Sequence, residues 1–327
     1  MGSVRWVVLL GLLLVSVLLV AAVSIGTVSL APGDVLNAMR GIGDSTMVVI
    51  VRDLRMPRAL LAALVGVGLS MSGGALQGTL RNALAEPYLL GVSGGAAVGA
   101  VLAMSFGVAT PTVVTVSAFG GAAAAALLVS LIARVVGGGT DTRLLLMAGV
   151  VVGAFSNAAI LVALADAPPE RLRGALWWMM GSAADATWAA VWRLALAVVA
   201  LGGLLVWWAR DLDVLAMGDE SAAALGVDAP RAARRIFLVA SWLAAATVAA
   251  AGLVGFVGLV VPNLARALGA RRHRTMLLVS AVYGAALMIG ADLVARTVRA
   301  PADLPLGAVT ALVGVPFFLL RLRRLAS

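Results

Sequence analysis

The sequence predicts an all-α polytopic membrane protein: a single transmembrane domain over residues 1–327, about ten helices in a compact bundle, both termini cytoplasmic. Three observations carry this. Hydrophobic residues make up 62% of the 327, with a mean hydropathy of +1.08, more hydrocarbon than a soluble core absorbs. The apolar residues come in runs of membrane length. The arginines gather at one set of run ends.

The runs lie near 6–25, 58–79, 89–106, 112–133, 143–164, 187–209, 236–254, 255–269, 276–297 and 305–320. The first follows Arg5 and is read as a retained helix, although Ala21 and Ala22 offer the small residues of a signal-peptide cleavage site. Runs 89–106 and 305–320 are short, which suits helices inside a bundle or crossing only part of the bilayer. After the fifth run, Pro168-Pro169 and ERLRGALWWMMG predict an amphipathic helix at the interface, anchored by Trp177 and Trp178. Gly91, Gly95 and Gly99 form a GxxxGxxxG series, joined by Gly149/Gly153 and by Gly252, Gly255 and Gly258; such spacing lets helix backbones touch in lipid.

With ten spans and a cytoplasmic N-terminus, fifteen of the 24 basic residues fall inside and nine outside. That asymmetry places one long polar island, residues 210–235, in the cytoplasm. Its punctuation predicts two short helices. Asp219 caps one that runs through Ala222–Leu225 and stops at Gly226, and Asp228 with Pro230 starts the next. A helix-turn-helix this short needs a partner surface to hold it, unless it is simply a solvated loop. Against the rule, Arg40, Arg52, Arg55 and Arg58 collect outside, which leaves headgroup binding and docking of an acidic partner both open.

What is missing excludes more than any motif supplies. All basic residues are Arg; there is no Lys, no Cys, and one His, His273. A nucleotide-binding P-loop, Schiff-base and thiolate chemistry, structural zinc and a two-His metal site all lack essential side chains. The net charge of +9 does not point to nucleic acid, because the arginines sit at segment ends rather than along a stripe; membrane lipids account for most of them. Within the runs, Asp292 precedes Arg296 by four residues, the favourable order for a helix-end salt bridge. Gln77, Asn157 and Arg193 read as interhelical hydrogen-bonding groups or interface anchors. Gly91-Val92-Ser93-Gly94 matches the GxSG of rhomboid-like intramembrane proteases, but His273 lies in RRHR, outside the apolar runs. A secondary transporter without an ATPase partner remains the alternative, although no midplane carboxylate supports it.

Four stretches resemble the membrane permease subunits of ABC importers for iron chelates, haem and cobalamin, the FecCD-like permeases. They are RMPRALLAALVGVGLSMSGGALQGTLRNALAEPYLLGVSGGAAVGA, RLLLMAGVVVGA, MGDESAAALGV, and GLVGFVGLVVPNLAR continuing to ADLVART and LPLGAVTALVGVPFF. The resemblance implies an alternating-access importer in the bacterial inner membrane, with two copies enclosing one pathway and no covalent chemistry in this chain. It implies two ATP-binding cassette subunits, which hold ATP and Mg, and a periplasmic or lipid-anchored substrate-binding protein. No cofactor or metal is expected in the chain itself. Relative abundance of the branches favours an iron-siderophore, with haem and cobalamin open.

By the same resemblance residues 211–235 are the coupling-helix segment, with Asp219, Glu220, Ser221, Ala222, Leu225, Gly226 and Val227 meeting the ATPase. Arg55, Arg58 and Arg296 match external arginines that dock the binding protein. Asn82 and Leu84, with Asp141 and Thr142, match the cytoplasmic gate. Two departures stand out: Ala83 replaces the usual Pro and Asn263 the usual His. Loss of Pro predicts a less rigid gate loop. Asp141 adds a charge where a hydroxyl is common.

Overall fold

The computed structural model describes residues 2–26, 28–107, 110–137 and 142–326. Its helices are α1 (Gly2–Ser24), α2 (Pro32–Met39), α3 (Ser45–Thr79), α4 (Val92–Ser105), α5 (Pro111–Gly137), α6 (Thr142–Leu164) and α7 (Pro169–Met180). Then come α8 (Trp188–Trp207), α9 (Ala209–Leu215), α10 (Asp219–Ala224), α11 (Ala229–Ala251), α12 (Val257–Ala267), α13 (His273–Thr297) and α14 (Leu306–Ala326). Among the described residues seven helices are long and apolar enough to cross a membrane: α1, α3, α5, α6, α8, α11 and α13. The other three expected spans are the shorter apolar helices α4, α12 and the first part of α14.

Helix α3 is the axis. Of its apolar window 78% is buried, against 22% for α1. Small residues make that possible, since in lipid helices associate by close packing and not by hydrophobic expulsion. Gly66 lies on the backbone of Gly284 in α13, and Gly73 on that of Gly258 in α12. Ser70 donates to the Ser280 carbonyl at 2.8 Å and Ser72 to that of Ala240 at 2.6 Å. On the next pair, Gly95 and Gly99 of α4 meet the backbone of Gly121 and Ser117 in α5, as the GxxxGxxxG spacing predicts. Gly91 differs: it caps α4 at φ +78°, in the left-handed region that favours glycine, and faces Gly149 and Gly153.

Helix α3 starts thirteen residues before the apolar run does, at Ser45. Asp44 accepts the Thr46 N–H at 3.1 Å, and the turn Ile50–Arg55 widens to i→i+5 bonding. Pro57 has no N–H to give, so a widened turn before it lets the helix pass through. The amphipathic helix at 165–186 is α7, with Trp177 exposed and Ala175 buried.

Helices α4 and α12, of 14 and 11 residues, rise about 21 and 16 Å, short of the roughly 30 Å hydrocarbon core. Each follows irregular backbone, residues 80–91 and 252–256. The first begins at the bundle end that carries the polar island, and the second is closed in by protein. The Ser182 N–H donates to Ala251 O at 2.8 Å and the Leu306 N–H to Gly181 O at 3.1 Å, so the connection after α7 ties the end of α11 to the start of α14. Pro262 inside α12 strands the Gly258 carbonyl, and Gln77 Nε2 from α3 supplies the missing donor at 3.1 Å.

Candidate functional site

The polar island folds onto the bundle end that the arginine count assigns to the cytoplasm, and it differs in three ways from two short helices. It opens with α9, which the residue pattern did not announce. Its last part is the first turns of the long helix α11, where Asp228 accepts the Arg231 N–H at 3.1 Å. Asp219 does not cap α10: the N-cap is Gly218, and no side chain bonds there. The Asp219 carboxylate instead pairs with Arg81. The stop is as expected, with Gly226 at φ +76° after Leu225. Of the residues expected to meet an ATPase, Asp219, Glu220, Leu225 and Gly226 are exposed, Ser221 and Val227 half-buried, and Ala222 buried against the bundle. Exposed Met217 and Leu225 add an apolar patch to this polar surface.

Arg81 ties α10 to the segment 82–91. Its Nε donates to the Leu215 carbonyl at the end of α9 (2.7 Å) while its guanidinium holds Asp219. The backbone at Arg81 sits at φ +49°. Next to it, Asn82 Oδ1 accepts the Leu84 N–H at 2.9 Å, and Leu84 is exposed. The loop is then fastened from the other side: Asn263 Nδ2 in α12 donates to the Ala83 carbonyl at 3.1 Å. The two departures from the family pattern therefore touch, and the bond from Asn263 supplies restraint that Pro would have given at position 83. Arg266 continues the chain to Asn263 Oδ1 at 3.1 Å and to Gln77. Asp141 lies outside the described residues; Thr142 opens α6.

Two polar contacts here escaped the sequence reading. Asp213 of α9 accepts the His273 N–H at 2.9 Å, capping α13, and lies 2.7 Å from His273 Nδ1. On the other flank Arg235 pairs with Asp211 and stacks over Trp208, its Cζ 4.8 Å from the ring centroid. Helix α9 is thus clamped to α11 through Asp211 and to α13 through Asp213. Both pairs join residues far apart in sequence, so no local spacing reveals them.

Glu86 is the other missed residue. It is buried in the connection before α4, where its carboxylate accepts the backbone N–H of Phe256, the left-handed N-cap residue of α12. Burial raises its pKa from 4.5 to about 7, partly offset by that hydrogen bond. A folded-state pKa above the unfolded one means that the folded form binds the proton more tightly. The stabilisation is complete below about pH 4.5 and is lost as pH rises through about 7. Glu86→Gln is expected to flatten this dependence, worth on the order of 3 kcal/mol, in unfolding of the detergent-solubilised protein followed by tryptophan fluorescence. An unchanged pH profile would remove Glu86 from this account.

At the opposite end the three expected docking arginines turn inward. Arg55 is buried and donates to the carbonyls of Val23 and Ser24 at 2.8 and 3.0 Å, and to Val28. Arg58 bridges Asp292 and Asp303, each at 2.9 Å. Arg296 reaches the Ala22 carbonyl, with Asp292 at 3.7 Å. The anticipated Asp292–Arg296 pair is therefore the longer arm of a cluster centred on Arg58. A guanidinium has five donors, and unsatisfied carbonyls at the end of α1 take them. The exposed cations of this face include Arg40, Arg52, Arg171, Arg173 and Arg299.

Comparison with known proteins agrees with this architecture. Residues 12–324 match the model of the FecCD transport family. The chain is 39% identical over 283 residues to a cobalamin import system permease protein of Halobacterium salinarum, covering 85% of this chain and 74% of that one. It is 37% identical over 324 residues to a hemin transport system permease protein of Yersinia pestis, covering 97% and 96%. A solved metal-chelate type ABC transporter in an inward-facing conformation superposes with a TM-score of 0.89 at 27% identity, covering 98% of this chain and 99% of its own.

Proposed function

The chain belongs to the FecCD transport family, and from that premise we propose that two copies enclose one pathway through the bacterial inner membrane and import a bulky metal chelate by alternating access. The chain is a permease subunit of an ABC importer, not an enzyme. ATP and Mg belong to two separate ATP-binding cassette subunits, and a binding protein delivers the chelate outside.

The observation that carries the coupling role is the junction at Arg81. Residues 211–235 present α10 to the ATPase, and Arg81 joins Asp219 of that helix to a gate formed by Asn82 and Leu84 with Asp141 and Thr142. An ATPase state that shifts α10 therefore pulls on the gate loop directly. Differential contact of one rigid element with two partner states is what shifts an access equilibrium. Outside, an acidic binding protein meets the exposed Arg40, Arg52 and Arg299, while Arg55, Arg58 and Arg296 brace that face from within. The cargo is an iron-siderophore, haem or cobalamin; similar identities to the cobalamin and hemin relatives do not choose among them.

The test is native mass spectrometry of the chain co-expressed with its ATPase, followed by uptake into proteoliposomes with each chelate and its binding protein. Two permeases with two ATPases, and ATP-dependent uptake of one chelate, is the expected result. One copy paired with a different permease overturns the homodimer, and uptake without ATP overturns the importer.

A further inference from the structure

A cavity of about 780 Å³ opens at the outer end of the bundle between α5, α8 and α11. Its floor is small, with Ala246, Ala249 and Ala250 of α11, and Trp177 and Trp178 of α7 roof it. None of its lining comes from α6, α12, α13 or α14, so it is separate from the gate region. Its mouth opens on the apolar belt: Val116 and Phe119 of α5, which both line it, are exposed. The size suits a small-molecule site, and the lining is mostly apolar.

Two charges stand in it. Asp185 lies in the outer connection before α8, and Arg193 projects from α8 itself. They form no ion pair with each other, and among the described residues neither side chain meets a hydrogen-bonding or ionic partner. Arg193 sits about 9 Å deeper than Thr187, the N-cap of α8, at 1.5 Å per residue. An ionisable side chain inside a span is costly unless something pairs with it. Read from the outside inward, the groove offers an anion, then a cation, then an apolar trough. An aminophospholipid presents the complementary series: ammonium, phosphate, acyl chains. Trp177 lines the cavity and Trp188 is the first residue of α8, at the end of a span where aromatic rings sit beside headgroups.

We propose that this groove binds one phosphatidylethanolamine of the outer leaflet, its phosphate on Arg193, its ammonium on Asp185 and its chains over the alanine floor. The paired charges argue against a purely anionic lipid, whose headgroup would meet Asp185 with like charge. Three N-methyl groups on phosphatidylcholine would remove the hydrogen bonds that Asp185 accepts.

The test is native mass spectrometry of the full chain in detergent, titrated separately with phosphatidylethanolamine, phosphatidylcholine and phosphatidylglycerol. Phosphatidylethanolamine is expected to be retained best. Arg193→Gln should weaken retention of all three about tenfold, as loss of a charge-assisted contact does, while Asp185→Asn should abolish only the headgroup preference. Ala250→Phe, which fills the trough from its floor, should lower lipid retention with the charges intact. Tryptophan fluorescence unfolding shows that each variant is folded. Equal retention of the three lipids, preference for phosphatidylglycerol, unchanged retention in Arg193→Gln, or a protein mass bound in place of lipid each overturns the assignment.

Discussion

Arg81→Asn is expected to lower ATP-driven uptake at least about tenfold while the assembled transporter continues to hydrolyse ATP. Asparagine is chosen because it tolerates the left-handed backbone that Arg81 adopts at φ +49°, so the change removes the guanidinium without adding strain. What is lost is the bond to the Leu215 carbonyl at the end of α9 and the pair with Asp219 of α10, the two links between the proposed coupling segment and the proposed gate loop. Charge-assisted bonds of this kind contribute about 1.5–3 kcal/mol each when shielded, less at an exposed pair such as this one. The static energy matters less than the connection. With Arg81 gone, α10 can follow the ATPase without moving residues 82–84. Exchanging the charges, Arg81→Asp with Asp219→Arg, restores the ion pair but not the Leu215 bond, so it should recover part of the uptake. Unaltered uptake in Arg81→Asn, or uptake and hydrolysis falling together with loss of assembly, would refute a coupling role for this junction.

The spans were legible because hydrophobicity registers residue by residue: all ten expected runs correspond to helices, and Gly95 and Gly99 meet their neighbours as their spacing said they should. Function was harder to read where it depends on what a side chain faces. Arg55, Arg58 and Arg296 look the same in sequence whether they point at a partner or at Val23, Asp292 and Ala22. Nothing local distinguishes them, since Arg58 and Asp292 are 234 residues apart. Asp219 went astray for a similar reason. Aspartate before an apolar turn is a strong capping signal, but a distant arginine outcompeted the helix end for its carboxylate. Gln77 was recognised as an interhelical donor; that its acceptor would be the carbonyl freed by Pro262 needed the packing of α3 on α12. The motif marked residues 211–235 as the proposed coupling segment, and the geometry added Arg81 beside it and Asn263 and Glu86 along the loop that follows Arg81.

The largest effect on folding is expected at Asp292. Its carboxylate is almost wholly buried, with Arg58 bonded through Nε at 2.9 and 3.1 Å and through Nη2 at 2.9 Å, and Arg296 beside it. Asp292→Ala leaves two guanidinium groups facing a cavity, with only Asp303 still paired to Arg58. Breaking a buried pair from one side costs about 3–5 kcal/mol, because the remaining charge has lost both its counterion and its water. Water can reach Arg58 from its exposed edge, which puts the expected loss toward the lower end, about 3 kcal/mol. Removing both partners is different. Arg58→Met with Asp292→Leu fills the same space and leaves one buried guanidinium, Arg296 on the Ala22 carbonyl, in place of two, so the double variant should be more stable than Asp292→Ala alone, and unfolding in detergent should show a positive coupling between the two sites. Arg52→Glu, on the exposed surface nearby, should leave unfolding unchanged and weaken binding-protein docking in a salt-dependent way. If Asp292→Ala unfolds like the parent protein and loses only docking, these residues belong to the docking surface after all. The opposite pattern makes the Arg58 cluster the brace that holds the outer ends of α1, α3 and α13 in register beneath that surface.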